Sequence, residues 1–169
     1  MSASLGGKEK VVPETVVLTD EERDECQTML RSLLQVEGGS YYAREEWIDS
    51  FKRSVVALCM MGRAERFLIL AGCGPLGFPP ADGRTYRAEY GEMACQAAAK
   101  ACGVFPLSIY FYDFGCVLRQ VGKPEEARQM LGEFLRRLWT EVRDPIMQST
   151  LKHRDFELAA YSARQWLLE

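Results

Sequence analysis

The residues able to do chemistry in this chain are six cysteines, at 26, 59, 73, 95, 102 and 116, a single histidine, His153, and a scatter of paired carboxylates. No Cys-x-x-Cys pair occurs, and one histidine cannot complete the usual zinc ligand sets, so no metal site is expected. Cys95 and Cys102 stand seven residues apart, about 10 Å along a helix by its rise, which is beyond disulfide reach. The cysteines therefore read as buried free thiols of a reducing compartment. A Cys–His nucleophile would have to use His153, which lies in the polar run Lys152-His153-Arg154 and reads as a solvated helix-end side chain. No Gly-x-Ser-x-Gly elbow is present. GCGPLG at 72–77 is glycine-rich, but neither a Gly-Lys-Ser/Thr follows it nor a strand precedes it, so it reads as a tight loop and not a phosphate cradle. Glu45-Glu46, Asp49 and Glu125-Glu126 fall on polar helix faces or in a first turn, where the helix dipole favours them. The expectation is a chain with no catalytic residue and no cofactor, not an enzyme.

Charge narrows the partners. The formal net charge is −3 in 169 residues, and no stretch carries the excess of Lys and Arg that phosphate neutralisation requires, so nucleic acid is not expected as a ligand. The longest uncharged run, Phe67 to Ala81, is broken by Pro75, Pro79 and Pro80 and by Gly72, Gly74 and Gly77, and is too short and too interrupted for a membrane span. The first residues, MSASLGGKEKVVPETVV, read as neither a secretory nor a mitochondrial leader. A soluble, cytoplasmic protein is expected.

The elements that would position any site are helical. Residues 1–18 show no periodicity and read as a flexible tail, leaving 19–169 as a single domain. Thr19 and Glu22 form a Thr-x-x-Glu capping box, followed by the stripe Cys26, Met29, Leu30, Leu33. A second helix opens at Ser40, buries Trp47, Phe51, Val55 and Leu58, and is expected to end at Gly62, with a short separate helix over 64–71. After the Gly/Pro loop, Tyr86, Tyr90, Met93, Ala94, Ala97, Ala98 and Ala101 line a helix of small residues, ended by Gly103. The segment 107–121 is apolar almost all round, the mark of a central helix. Gly122 then takes a C′ position, and Pro124 opens a helix with the stripe Ala127, Met130, Leu131, Phe134, Leu135, Leu138. Asp155 to Leu168 predicts a last helix. The fold class is all-α, with about seven helices.

Within this pattern, residues 108–139 resemble a tetratricopeptide repeat (TPR), a helix–turn–helix unit of 34 residues. Gly115, Gly122 and Ala127 stand at the spacing of that family's small residues, and Phe111, Phe114 and Leu118 at its large apolar positions. Ala94, Ala98, Ala101 and Pro106 resemble the second helix and closing proline of a preceding unit, while Phe51, Val55, Leu58 and Gly62 resemble a first helix further upstream, with Phe67 where a small residue should fall. The loop 72–84 interrupts the regular step. What the resemblance implies is an antiparallel helical-hairpin bundle that is TPR-like without being a long superhelix. It also implies a protein or peptide partner held on the first helix of the unit, at Ile109, Tyr112, Cys116, Arg119 and Gln120. Tyr112 would offer a flat face with a hydroxyl and Arg119 a planar fork; equally, Ile109 and Tyr112 would be core. The Lys and Asn residues by which some of these repeats clamp a C-terminal carboxylate are replaced by Tyr112, Asp113 and Cys116. The expected function is a non-enzymatic interaction module, an adaptor or small chaperone. The alternative is a structural or accessory subunit of a larger assembly, docking through Phe78, Pro79 and Pro80 or through the N-terminal tail.

Overall fold

A computed structural model describes residues 11–13, 15–36, 45–76, 78 and 85–143, with the side chains of 33–36 and 45–51 outside the description. Among the described residues five helices follow one another: α1 (Asp20–Val36), α2 (Glu45–Leu70), α3 (Ala88–Val104), α4 (Ser108–Gln120) and α5 (Pro124–Glu141). All regular structure among the described residues is helical. The helix expected at 155–168, and the residues Trp47, Phe51, Pro79 and Pro80, lie outside the described residues or side chains.

Local chemistry sets the helix ends. At the start of α1 the Thr19 N–H donates to Glu22 Oε1 (3.0 Å) and the Glu22 N–H to Thr19 Oγ1 (3.2 Å), a closed capping box. α2 and α4 end alike. Gly72 (φ +84°) and Gly122 (φ +81°) take the left-handed C′ position. Beyond them the N–H groups of Cys73 and Lys123 reach back to the carbonyls of Leu68 and Leu118, both at 2.9 Å. α4 begins without a local cap: its Ser108 N–H and hydroxyl both donate to the Glu141 carboxylate at the far end of α5. That clasp, with the three-residue turn at the other end, makes α4 and α5 an antiparallel hairpin. The Arg87 N–H on the Ala71 carbonyl (3.0 Å) and the stacked rings of Phe67 and Tyr90 close α2 and α3 in the same sense.

The two hairpins meet through α3 and α4, with α2 also touching α4 and α1 laid against α2. Their common core joins Met60, Ala64 and Leu68 of α2, the alanines 94, 97, 98 and 101 of α3, Phe114, Val117 and Leu118 of α4, and Leu131 and Phe134 of α5. The small residues of α3 and Gly115 let backbones approach. A Cβ on Gly115 would lie 2.9 Å from Leu131 Cδ2 and 3.4 Å from the Ala127 carbonyl oxygen. α1 is fastened by Glu25, which bridges Arg63 (2.6 Å) and Arg66 of α2, and by Glu22, which accepts from Lys100 of α3 at 2.6 Å.

Three sequence expectations are corrected. The helix does not end at Gly62 and restart at 64; α2 runs unbroken to Leu70, because its buried stripe Val55, Cys59, Met60, Ala64, Leu68 spans the glycine. That packing outweighs the cost of about 1 kcal/mol for an interior glycine. Leu58 points outward, 55 % exposed, and Met93 is likewise exposed. The segment 11–18 is not detached from the bundle: Val11, Val12 and Leu18 pack against its core.

Candidate functional site

The α4 face inferred from the repeat resemblance is not an open groove. Cys116 and Gln120 have no exposed surface, so neither can meet a partner in this arrangement. Burial pushes the Cys116 thiol up to about 12, with Asp113 adding to the rise. Gln120 instead fastens the α2–α3 loop, its side-chain amide donating to the carbonyls of Pro75 (3.1 Å) and Phe78. The Gln120 backbone carbonyl accepts from the Cys73 thiol at 3.7 Å. Tyr112 is half-buried with its ring tilted against Phe134, 5.3 Å between centroids, so it serves the α4–α5 contact. Ile109 is half-buried against the same core, and Arg119 is partly buried. The structure thus brings these five residues together on one helix, while the closure of the hairpin and the Gln120 loop contact spend most of their surface inside the molecule. Phe78, expected as a docking residue, is 63 % exposed.

Among the described residues an open concavity lies elsewhere, between α3 and α5. α3 and α5 both pack against α4, which forms the floor between them with Phe111 and Phe114. Small side chains on α3 (Cys95, Ala99, Cys102, Gly103) and the α5 residues Gln129 and Met130 form the walls of a cleft of about 670 Å³ and its neighbour of about 340 Å³. Val11 borders both, so the non-helical segment 11–13 crosses the junction between them. The crossing is tight at one point: a Cβ on Gly103 would sit 2.5 Å from Val16 Cγ2 and 3.2 Å from the Pro13 carbonyl oxygen.

The rim is charged, with two ion pairs upon it and Glu126 beside the smaller cleft. Arg137 lies over the Phe111 ring (4.5 Å), donates to the Pro106 carbonyl (3.1 Å) and pairs with Glu133 (2.7 Å). Bonds from Arg136, opposed by partial burial and helped by Arg137, hold the Glu133 carboxyl below its ordinary range. At the opposite end Lys123 pairs with Glu92 (2.7 Å). Burial drives the Cys102 thiol far above its usual value and Cys95 to about 11, so both wall thiols stay protonated and are poor nucleophiles. The larger cleft, apolar and aromatic-floored with the paired Arg137 and Glu133 on its rim, suits an uncharged apolar ligand. Among the described residues, no group of three His, Cys, Asp or Glu is arranged to hold a metal ion, and no helix is long and apolar enough to cross a membrane.

The sequence did contain a signal for this cleft. Two apolar triplets, Val11-Val12-Pro13 and Val16-Val17-Leu18, precede the capping box, an unusual composition for a solvated tail. Compared with models of protein families, with curated proteins and with solved structures, the chain matches none.

Proposed function

We propose that this protein is a TPR-like, non-enzymatic interaction module, an adaptor or small chaperone that holds an extended peptide segment of a protein partner. The cleft between α3 and α5 is the binding site in this reading. One observation carries it: a cleft of about 670 Å³, floored by Phe111 and bordered by a non-helical stretch of the chain's own backbone. This is the size range of small-ligand sites, and an extended chain on an aromatic floor is a recurrent mode of peptide recognition.

The test is selection of peptides from a random displayed library against the full chain, followed by binding to two variants. Gly103→Leu fills the tight point of the cleft from a helical position, and Gln129→Trp fills it from the exposed side of α5. Selected peptides are expected to lose binding to both variants while circular dichroism stays unchanged. A selection that yields no peptide, or only peptides indifferent to both substitutions, overturns the reading.

A second reading, an accessory subunit of a larger assembly, is favoured by the exposed apolar residues Ile69, Leu70, Phe78 and Tyr86 around the α2–α3 connection. Concentration-dependent self-association of the isolated chain, abolished by Ile69→Asp, is what that reading expects.

A further inference from the structure

We infer that segment 11–16 is a displaceable strap, an intramolecular ligand of the α3–α5 cleft, and that the partner peptide replacing it shares its chemistry: β-branched residues around a proline, in extended conformation, without a required charge. This deepens the proposed function and rests on it.

Four observations support the assignment. First, the segment is seated without being helical: Val11 and Val12 pack on the core, and none of the described residues before Asp20 is helical. Pro13 fixes its own φ and biases Val12 to extended backbone, so the segment needs little ordering to lie flat. Second, the seat is shaped for a main chain. Gly103 leaves room for the Pro13 carbonyl and the Val16 methyl where any larger residue would collide. Third, among the described residues no hydrogen bond joins the peptide groups of 11–18 to α3, α4 or α5. The strap is held by side-chain packing and by its anchor downstream, where Glu22 accepts from Lys100. A segment fixed at one end and merely packed along the rest can leave without unfolding α1. Fourth, the cleft is under-filled, with about 670 Å³ still open beside Val11, Val12 and Pro13. A longer ligand of the same type would occupy the seat and this space together.

The chemistry follows from the walls. Phe111, Met130 and Ala99 offer apolar contact, and of the charges nearest them Arg137 pairs with Glu133 and Lys123 with Glu92, while Glu126 also lines the smaller cleft. A charged group placed against either pair would have to break it. An apolar one would not.

The experiment uses the full chain and a fluorescent peptide of residues 10–18, KVVPETVVL, supplied in trans. Val12→Asp/Val16→Asp releases the strap, and the milder Val12→Ser/Val16→Ser keeps the test available should the first variant fold poorly. Because an occupied cleft lowers apparent affinity by the fraction left open, both released chains are expected to bind the peptide about tenfold or more tighter than the wild type. Adding Gly103→Leu to either should abolish the gain. Equal, Gly103→Leu-sensitive binding to wild type and released chains would overturn the strap and leave the cleft reading standing. Failure of the released chains to bind this peptide, when library-selected peptides do bind the cleft, would overturn the stated chemistry alone. A wild-type dimer by light scattering that dissociates on Val12→Ser/Val16→Ser would overturn the intramolecular assignment in favour of a second copy's strap. If neither this peptide nor any library peptide binds, the proposed function itself falls.

Discussion

Gly115 sits at the contact between α4 and α5, and its substitution by alanine isolates how closely the two helices approach. Two effects oppose each other. Within a helix, alanine is favoured over glycine by about 0.8–1 kcal/mol, while the new methyl would stand 2.9 Å from Leu131 Cδ2 and 3.0 Å from Leu131 Cγ. Leu131 is only 1 % exposed, so it cannot swing into solvent, and overpacking of this kind costs about 1–3 kcal/mol. The net expectation for Gly115→Ala is a loss of up to about 2 kcal/mol. Gly132 on α5 supplies the control, because a Cβ there meets nothing within 4 Å; Gly132→Ala should gain up to about 1 kcal/mol. Urea unfolding followed by circular dichroism measures both, and the difference between the two variants is the packing penalty free of propensity. Leu131→Ala in the Gly115→Ala background should restore part of the loss relative to additivity. A Gly115→Ala chain as stable as Gly132→Ala would refute the close approach and with it the hairpin geometry.

Further outcomes follow from other side chains. Burial, with the like charge of Glu65 nearby, pushes the Asp113 carboxyl up to about 7. The folded state thus holds a proton that the unfolded state has lost, and stability should fall as pH rises from about 4 to about 7, by at most about 1.4 kcal/mol per pH unit. Asp113→Asn should remove that decline, and unchanged pH profiles of wild type and variant would contradict it. On the acid side the sign reverses. Burial works to raise Glu22 and Glu25, but bonds from Lys100 and Thr19, and from Arg63 and Arg66, outweigh it and hold both carboxyls low, so their contribution is present above the ordinary carboxylate range and lost as pH falls through their lowered values. Gln120→Leu leaves the Pro75 and Phe78 carbonyls without their donor, at about 1–3 kcal/mol, and should open the 75–78 loop to limited proteolysis. Five of the six cysteines are buried, with Cys59 and Cys116 pushed up to about 12. In native protein at pH 8 no more than the half-buried Cys73 should react quickly with a disulfide reagent, whereas all six should react in urea.

What could be read from the sequence was whatever one helix or one turn decides for itself. The Thr19–Glu22 box, the glycine ends at Gly72 and Gly122, and the stripe Ala127, Met130, Leu131, Phe134 depend on neighbours three or four residues away, and sequence spacing carries that information. Gly62 shows the limit. Its propensity argues for a stop, yet the decision belongs to Cys59, Met60 and Leu68 packing across it. The α4 start was readable, but not its cap, because Glu141 lies 33 residues downstream of Ser108. The same holds for the site. Periodicity marked α4 as apolar all round without saying which side meets α5, so Cys116 and Gln120 passed for surface. Segment 11–18 has no period; its two apolar triplets point to burial, but where it lies is set by tertiary contact with Gly103.

The uninterrupted length of α2 has a dynamic consequence. Its 26 residues extend about 39 Å, against about 26 Å for the 17 residues of its hairpin partner α3. Since the two helices meet where α2 ends and α3 begins, the surplus of about two turns projects from the other end. Amide protons should therefore exchange in two tiers along this one helix. Those from Val55 to Leu68 should exchange only through global opening, and those in the first turns through local fraying that leaves the hairpins intact. A single helix would then belong to two cooperative units, one as slow as the whole molecule and the other open many times in its lifetime.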